Sequence, residues 1–166
     1  ALIETGALDE AEKQAFDLRQ KFPDSGRSPQ SFHLLGLAFH KAAKAVEKTD
    51  PASWKIHLEK AAKYFAYYLE HKSQPTAEDF QTIGIWFHQL EDWANAEKFL
   101  ESALEMFKVQ YDALPKKSPA RKELEGKMEG LSVMLSELLL KQGKFAEAAK
   151  FFEGLLVPDP GAQQRL

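Results

Sequence analysis

The chain has 166 residues, 44% of them hydrophobic and 28% charged, a balance that supports a packed fold and excludes wholesale disorder. Its 22 Lys and Arg against 25 Asp and Glu leave a net charge of −3, which argues against a dedicated nucleic-acid binder. Having no cysteine, it has no disulfide, thiolate zinc site, iron–sulfur cluster or Cys nucleophile.

Turn clusters at Phe22–Pro29, Thr49–Ser53, Ser73–Pro75, Pro115–Pro119 and Pro158–Gly161 divide the sequence. Between them apolar residues recur at helical spacing, and no Asn-Gly or Asp-Gly turn or alternating β-branched run signals a strand. The spacing predicts seven helices, near residues 8–22, 29–48, 52–72, 77–90, 93–114, 118–142 and 145–157. The fold class is all-α. Asp50 before Pro51 and Ser118 before Pro119 each place a cap residue ahead of a proline at the first helical position. Thr76, three residues before Asp79, reads as a capping box, and Gly143 falls where the sixth helix should stop. Leu131–Leu140 is interrupted by Ser132, Ser136 and Glu137, so no stretch approaches the roughly 18 apolar residues of a membrane span. Ala1–Glu12 has neither the basic start nor the apolar run of a signal peptide; the compartment is left open, a cytoplasmic setting being favoured over export.

Two patterns repeat. Phe32-x-x-Leu35-Gly36-x-x-Phe39 returns as Phe80-x-x-Ile83-Gly84-x-x-Phe87, where the glycine lets a second helix approach and the large residues fill the space beside it. Asp92-Trp93-x-x-Ala96-x-x-x-Leu100-x-x-Ala103 matches Lys144-Phe145-x-x-Ala148-x-x-x-Phe152-x-x-Leu155 and Ala7-Leu8-x-x-Ala11-x-x-x-Ala15-x-x-Leu18. Ala61, Phe65 and Tyr68 supply a looser fourth copy.

On these residues the chain resembles the tetratricopeptide repeat (TPR) family. The best unit is Phe80, Ile83, Gly84 and Phe87 followed by Ala96, Leu100 and Ala103; the last keeps Leu135, Ser136, Leu139, Gly143, Phe145, Ala148, Phe152 and Pro160. The resemblance implies a right-handed superhelix, or α-solenoid, of antiparallel helix pairs with a concave inner surface. Its units are a half repeat over 1–23 and repeats near 29–73, 77–114 and 118–160, in one repeat domain expected to be part of a longer chain. Phe39 to Ala61 spans 22 residues where Phe87 to Ala96 spans 9, so long helices are expected in place of disordered loops. By the family's pattern the inner surface is lined by His33, Leu37, His40 and Lys41, then Gln81, Ile85, His88 and Gln89, then Val133, Glu137, Leu140 and Lys141. His40 and His88 hold equivalent places and are expected to face each other. Members that clamp a C-terminal carboxylate use Lys and Asn at such positions; Asn95 is the only asparagine and lies elsewhere, so that mode is rejected.

No catalytic fingerprint is present, neither a phosphate loop nor G-x-S-x-G, H-E-x-x-H or a dinucleotide-binding motif. Acidic residues alternate with Lys, as at Glu97-Lys98 and Glu147/Lys150, which reads as solvated helix faces rather than a carboxylate dyad. Three roles compete for the His-bearing faces: a groove for a peptide or helix, a purely structural surface, and a histidine metal site that lacks the ligands to complete a shell. Trp54, Trp86 and Trp93 read as core; Trp93 fits a packing position, and Trp86 stands where the family has a small residue, as a wedge or a contact for an extended helix. Tyr64, Tyr67 and Tyr68 cannot all face one core, which makes the Tyr64/Tyr67 side a candidate contact surface. Lys116, Lys117, Arg121 and Lys122, balanced by Glu123 and Glu125, read as a solvated loop and helix start. The favoured function is a non-enzymatic scaffold that holds a peptide or helix of a partner protein, without cofactor, metal, nucleic acid or membrane insertion. The alternative is a structural or oligomerisation segment of a larger multi-domain protein, self-associating through open end helices.

Overall fold

The computed structural model describes residues 8–23, 25–72 and 74–156, with side chains through 151. Among these residues there are seven α-helices and no strand: α1 (Leu8–Lys21), α2 (Arg27–Val46), α3 (Pro51–His71), α4 (Ala77–Gln89), α5 (Trp93–Ala113), α6 (Ala120–Lys141) and α7 (Phe145–Leu156). Each expected helix is present with its ends within two residues of the expected ones. Internal packing divides the chain after Pro75 into one unit of α1–α3 and another of α4–α7.

The helix starts follow local chemistry. Asp50 accepts hydrogen bonds from the Ser53 backbone N–H at 3.1 Å and from its hydroxyl, which satisfies donors that the first turn of α3 leaves open. Thr76 and Asp79 form the reciprocal capping box of α4, with Asp79 N–H donating to Thr76 Oγ1 and Thr76 N–H donating to Asp79 Oδ2. At α6 the expectation fails in detail. The helix begins at Ala120 without a side-chain cap, because Arg121 N–H and Lys122 N–H bond the carbonyls of Ser118 and Pro119 in a tight first turn.

In the first unit α2 lies antiparallel to α3, with Phe32 against Tyr67 and Phe39 against His57. Gly36 packs tightly on α3: a Cβ there would lie 3.2 Å from both Ala61 O and Phe65 N. Helix α1 adds Ala11 and Ala15, both buried, and small residues at such a crossing let helices pack tightly. Tyr64 and Tyr67 are not a contact surface. Tyr64 is buried among Phe16, Phe32 and Phe39, and Tyr67 packs at an incline against Phe32 under the Arg19 guanidinium, so both rings serve the packing of α3 on α1 and α2. Tyr64 also donates a hydrogen bond to Glu12, whose other carboxylate oxygen pairs with Lys60 Nζ at 2.8 Å.

In the second unit Gly84 takes the place that Gly36 has in the first. A Cβ on it would stand 2.7 Å from Leu100 Cγ. Ala77, Ala96, Leu100, Ala103, Phe107, Leu131, Leu135, Leu138, Leu139 and Ala148 form one buried cluster from four helices, with Phe80, Ile85 and Phe87 packed partly against it. Each fully buried leucine contributes about 1.5–3 kcal/mol, enough to override the modest helix propensity of the aromatic residues beside it. Ser136 stands where the other pairs have glycine and is fully buried; its hydroxyl donates back to Ser132 O at 2.7 Å, so its polarity costs nothing unpaired. Trp86 is buried as well.

Glu97 differs from a solvated helix face. Its carboxylate is largely buried and receives Lys144 Nζ at 2.7 Å and Gln142 Nε2 at 2.7 Å, which ties α5 to the turn between α6 and α7. Its bonds raise the Lys144 pKa above the ordinary lysine value. Arg121 is likewise a local tie: its guanidinium lies 3.7 Å from the Tyr111 ring centroid and donates to Leu114 O.

Candidate functional site

Helical geometry separates core and surface positions one residue apart. In α2, Phe32, Leu35, Gly36 and Phe39 turn inward, and the next positions round the helix turn outward. His33 is half-buried, its ring stacked on Tyr68 with centroids 4.4 Å apart, and Gln30 Nε2 meets its Nδ1 at 3.3 Å. Leu37 is 41% exposed, Lys41 is exposed and His40 is half-buried. Burial holds the His40 imidazole below its ordinary value, Lys44 lowers it further, and Glu47 opposes both. Leu34, also exposed, extends the apolar strip of Leu37 and was not singled out from the sequence; its place one turn before Leu37 is the signal for it.

The second unit brings two rows together. From α4, Gln81, Ile85 and His88 are half-buried and Gln89 is exposed. From α6, Val133 and Leu140 are 39% and 42% exposed, and Glu137 and Lys141 are exposed. The helices are linked at one end by Lys127 Nζ to Glu78 Oε1 at 3.1 Å. At the other end His88 and Lys141 meet on one indole: the His88 ring lies edge-to-face on Trp93 at 5.5 Å, and Lys141 Nζ is 4.5 Å from the same ring centroid. Trp93 therefore does more than fill a packing position. Burial lowers the His88 pKa, Lys141 lowers it further and Glu137 raises it.

His40 and His88 belong to different units, and each is described within its own. A cleft of the second unit, about 670 Å³, lies apart from these rows, between Leu104 and Lys108 of α5, Met128 and Glu129 of α6, and Lys150 and Phe151 of α7. Among the described residues no group of three or more His, Asp or Glu side chains is placed to hold a metal ion, and no helix is long and apolar enough to cross a membrane. Chemically, the α4–α6 rows offer exposed aliphatic side chains bordered by amide, imidazole, carboxylate and ammonium groups. Such a surface can bury apolar side chains and hydrogen-bond a backbone, but it assembles no nucleophile and base. Compared with models of known protein families the chain matches none, and a search of curated proteins finds no significant relative.

Proposed function

We propose that the chain is a non-enzymatic, TPR-like interaction module whose helix pairs continue as a right-handed superhelix. It holds a peptide or helix of a partner protein on open helix faces, at Leu37 in the first unit and at Val133 and Leu140 in the second, with their polar neighbours. The observation that carries this reading is the pair Gly36 and Gly84: a Cβ on either would press on the next helix, at the Phe65 backbone and at Leu100, which the sequence pattern aligns as equivalent positions. That equivalence supports the family pattern, and the pattern selects the open faces of α2, α4 and α6 as the lining.

Ile85 is packed partly against the core, so the exposed residues make the cleaner test. Peptides selected by the whole chain from a random display library should bind at least about tenfold more weakly to the Leu37→Glu and Leu140→Glu variants. Equal binding by both variants refutes the groove. A second reading, a self-associating structural segment, draws on the exposed rings of Phe22 and Phe145. Light scattering over a range of concentrations tests it, and a constant monomer mass counts against it.

A further inference from the structure

His88 sits in the last turn of α4, and its Nε2 is shielded from solvent without a hydrogen-bond partner. A neutral imidazole tolerates this, because one of its two nitrogens carries a lone pair and no proton. An imidazolium does not, since both nitrogens then donate and a shielded charged donor without an acceptor is costly. The surroundings offer one remedy and one obstacle. From α5 the neighbour is the uncharged Trp93 ring; the charges that act on His88 come from α6, the Glu137 carboxylate and the Lys141 ammonium. Lys141 already rests on that indole, whose electron-rich face attracts a cation. Two cations on a single ring repel each other.

We propose that His88 is a proton-operated release for Lys141: with the imidazole neutral the ammonium rests on Trp93, and when His88 takes a proton from solvent its Nε2–H turns to Glu137 and Lys141 leaves the indole. Three groups then change together. Glu137 is neutralised by His88, Lys141 is freed beside Leu140, and the α6 end of the face passes from mixed to basic. An acidic amphipathic peptide suits the protonated state, a consequence that rests on the peptide-binding reading. The coupling of His88, Trp93 and Lys141 is a property of the free chain.

Display selections at two pH values address the ligand alone: more acidic peptides at the lower pH support that consequence, and equal charge removes it. The coupling is tested by NMR titration of the unliganded chain from about pH 8 to about pH 5, across the range where imidazole titrates. The Trp93 indole N–H and the Lys141 side-chain resonances should move with the midpoint of His88. That midpoint should rise in Lys141→Met and fall in Glu137→Gln, both exposed positions where folding is not at stake. In His88→Gln the Trp93 response over this range should vanish. A Trp93 signal that ignores the His88 midpoint, or a midpoint unmoved by Lys141→Met, overturns the proposal.

Discussion

Glu91 and Gly143 hold the same left-handed backbone position, with φ of 60° and 74°, in the turns that follow α4 and α6. The closing bonds match as well: Asp92 N–H reaches Phe87 O at 3.0 Å, and Lys144 N–H reaches Leu139 O at 2.9 Å. Both are Schellman closures, which hand the chain from one helix to the next at a fixed angle. Only at Glu91 does a Cβ carry the steric cost. Glu91→Gly should therefore raise stability by about 1 kcal/mol, and Gly143→Ala, whose Cβ would meet nothing within 4 Å, should lower it by a similar amount through backbone strain alone. Urea denaturation of both variants checks the pair.

The same substitution should change sign along the chain. Gly84→Ala drives a Cβ into Leu100 at 2.7 Å and should cost a net 1–2 kcal/mol or so, after the gain in helix propensity. Gly126 and Gly130 lie in α6 with open space where their Cβ atoms would be, so Gly126→Ala and Gly130→Ala should each stabilise by roughly 1 kcal/mol. Thermal melting of the three variants decides this; a loss at Gly126 or Gly130 would mean that something packs there.

These positions mark what was legible in the sequence. Helical spacing, the caps at Asp50 and Thr76, and the stop at Gly143 are local signals, carried by residues within a few positions of one another. Gly36 and Gly84 were legible because a repeated pattern converts a long-range contact into a local motif. Glu97 was not. Its partners Gln142 and Lys144 lie more than forty residues away, and nothing in the spacing around Glu97 distinguishes a buried ion pair from a solvated one. Tyr64 and Tyr67 were misplaced for a related reason: a helical wheel around α3 separates its faces, but α1 packs beside α2 and gives that second face its own aromatic neighbours. Trp93 read as packing because its partners His88 and Lys141 come from the ends of two other helices.

Removing the Tyr64 hydroxyl leaves Glu12 largely buried with Lys60 as its remaining partner. Tyr64→Phe should destabilise the chain by about 1.5–3 kcal/mol, the range for a hydrogen bond to a charged group. Glu12→Ala made in the Tyr64→Phe background should cost less than Glu12→Ala alone, since each change removes one end of the same bond. A double-mutant cycle in urea measures the difference, and strict additivity would contradict the contact.

His40 and His88 are both held below the ordinary imidazole value of 6.5, first by burial, then by Lys44 and Lys141 respectively. The unfolded chain therefore binds these protons more readily than the native one. Their contribution to stability is fully present above pH 6.5 and is lost as pH falls from 6.5 through the lower native values. The urea midpoint should drop across that window, and the drop should shrink in a His40→Gln/His88→Gln chain. An identical drop in the double variant would place the sensitive groups elsewhere.

The central proposal is that the open faces of α2, α4 and α6 hold a peptide. Chemical-shift mapping of the whole chain with a library-selected peptide tests it most directly. The predicted result is a set of perturbed signals within the second unit, at Gln81, His88, Val133, Glu137 and Leu140, abolished by Leu140→Glu. Perturbations confined to the cleft of Lys108, Met128 and Phe151, unchanged in Leu140→Glu, would contradict it.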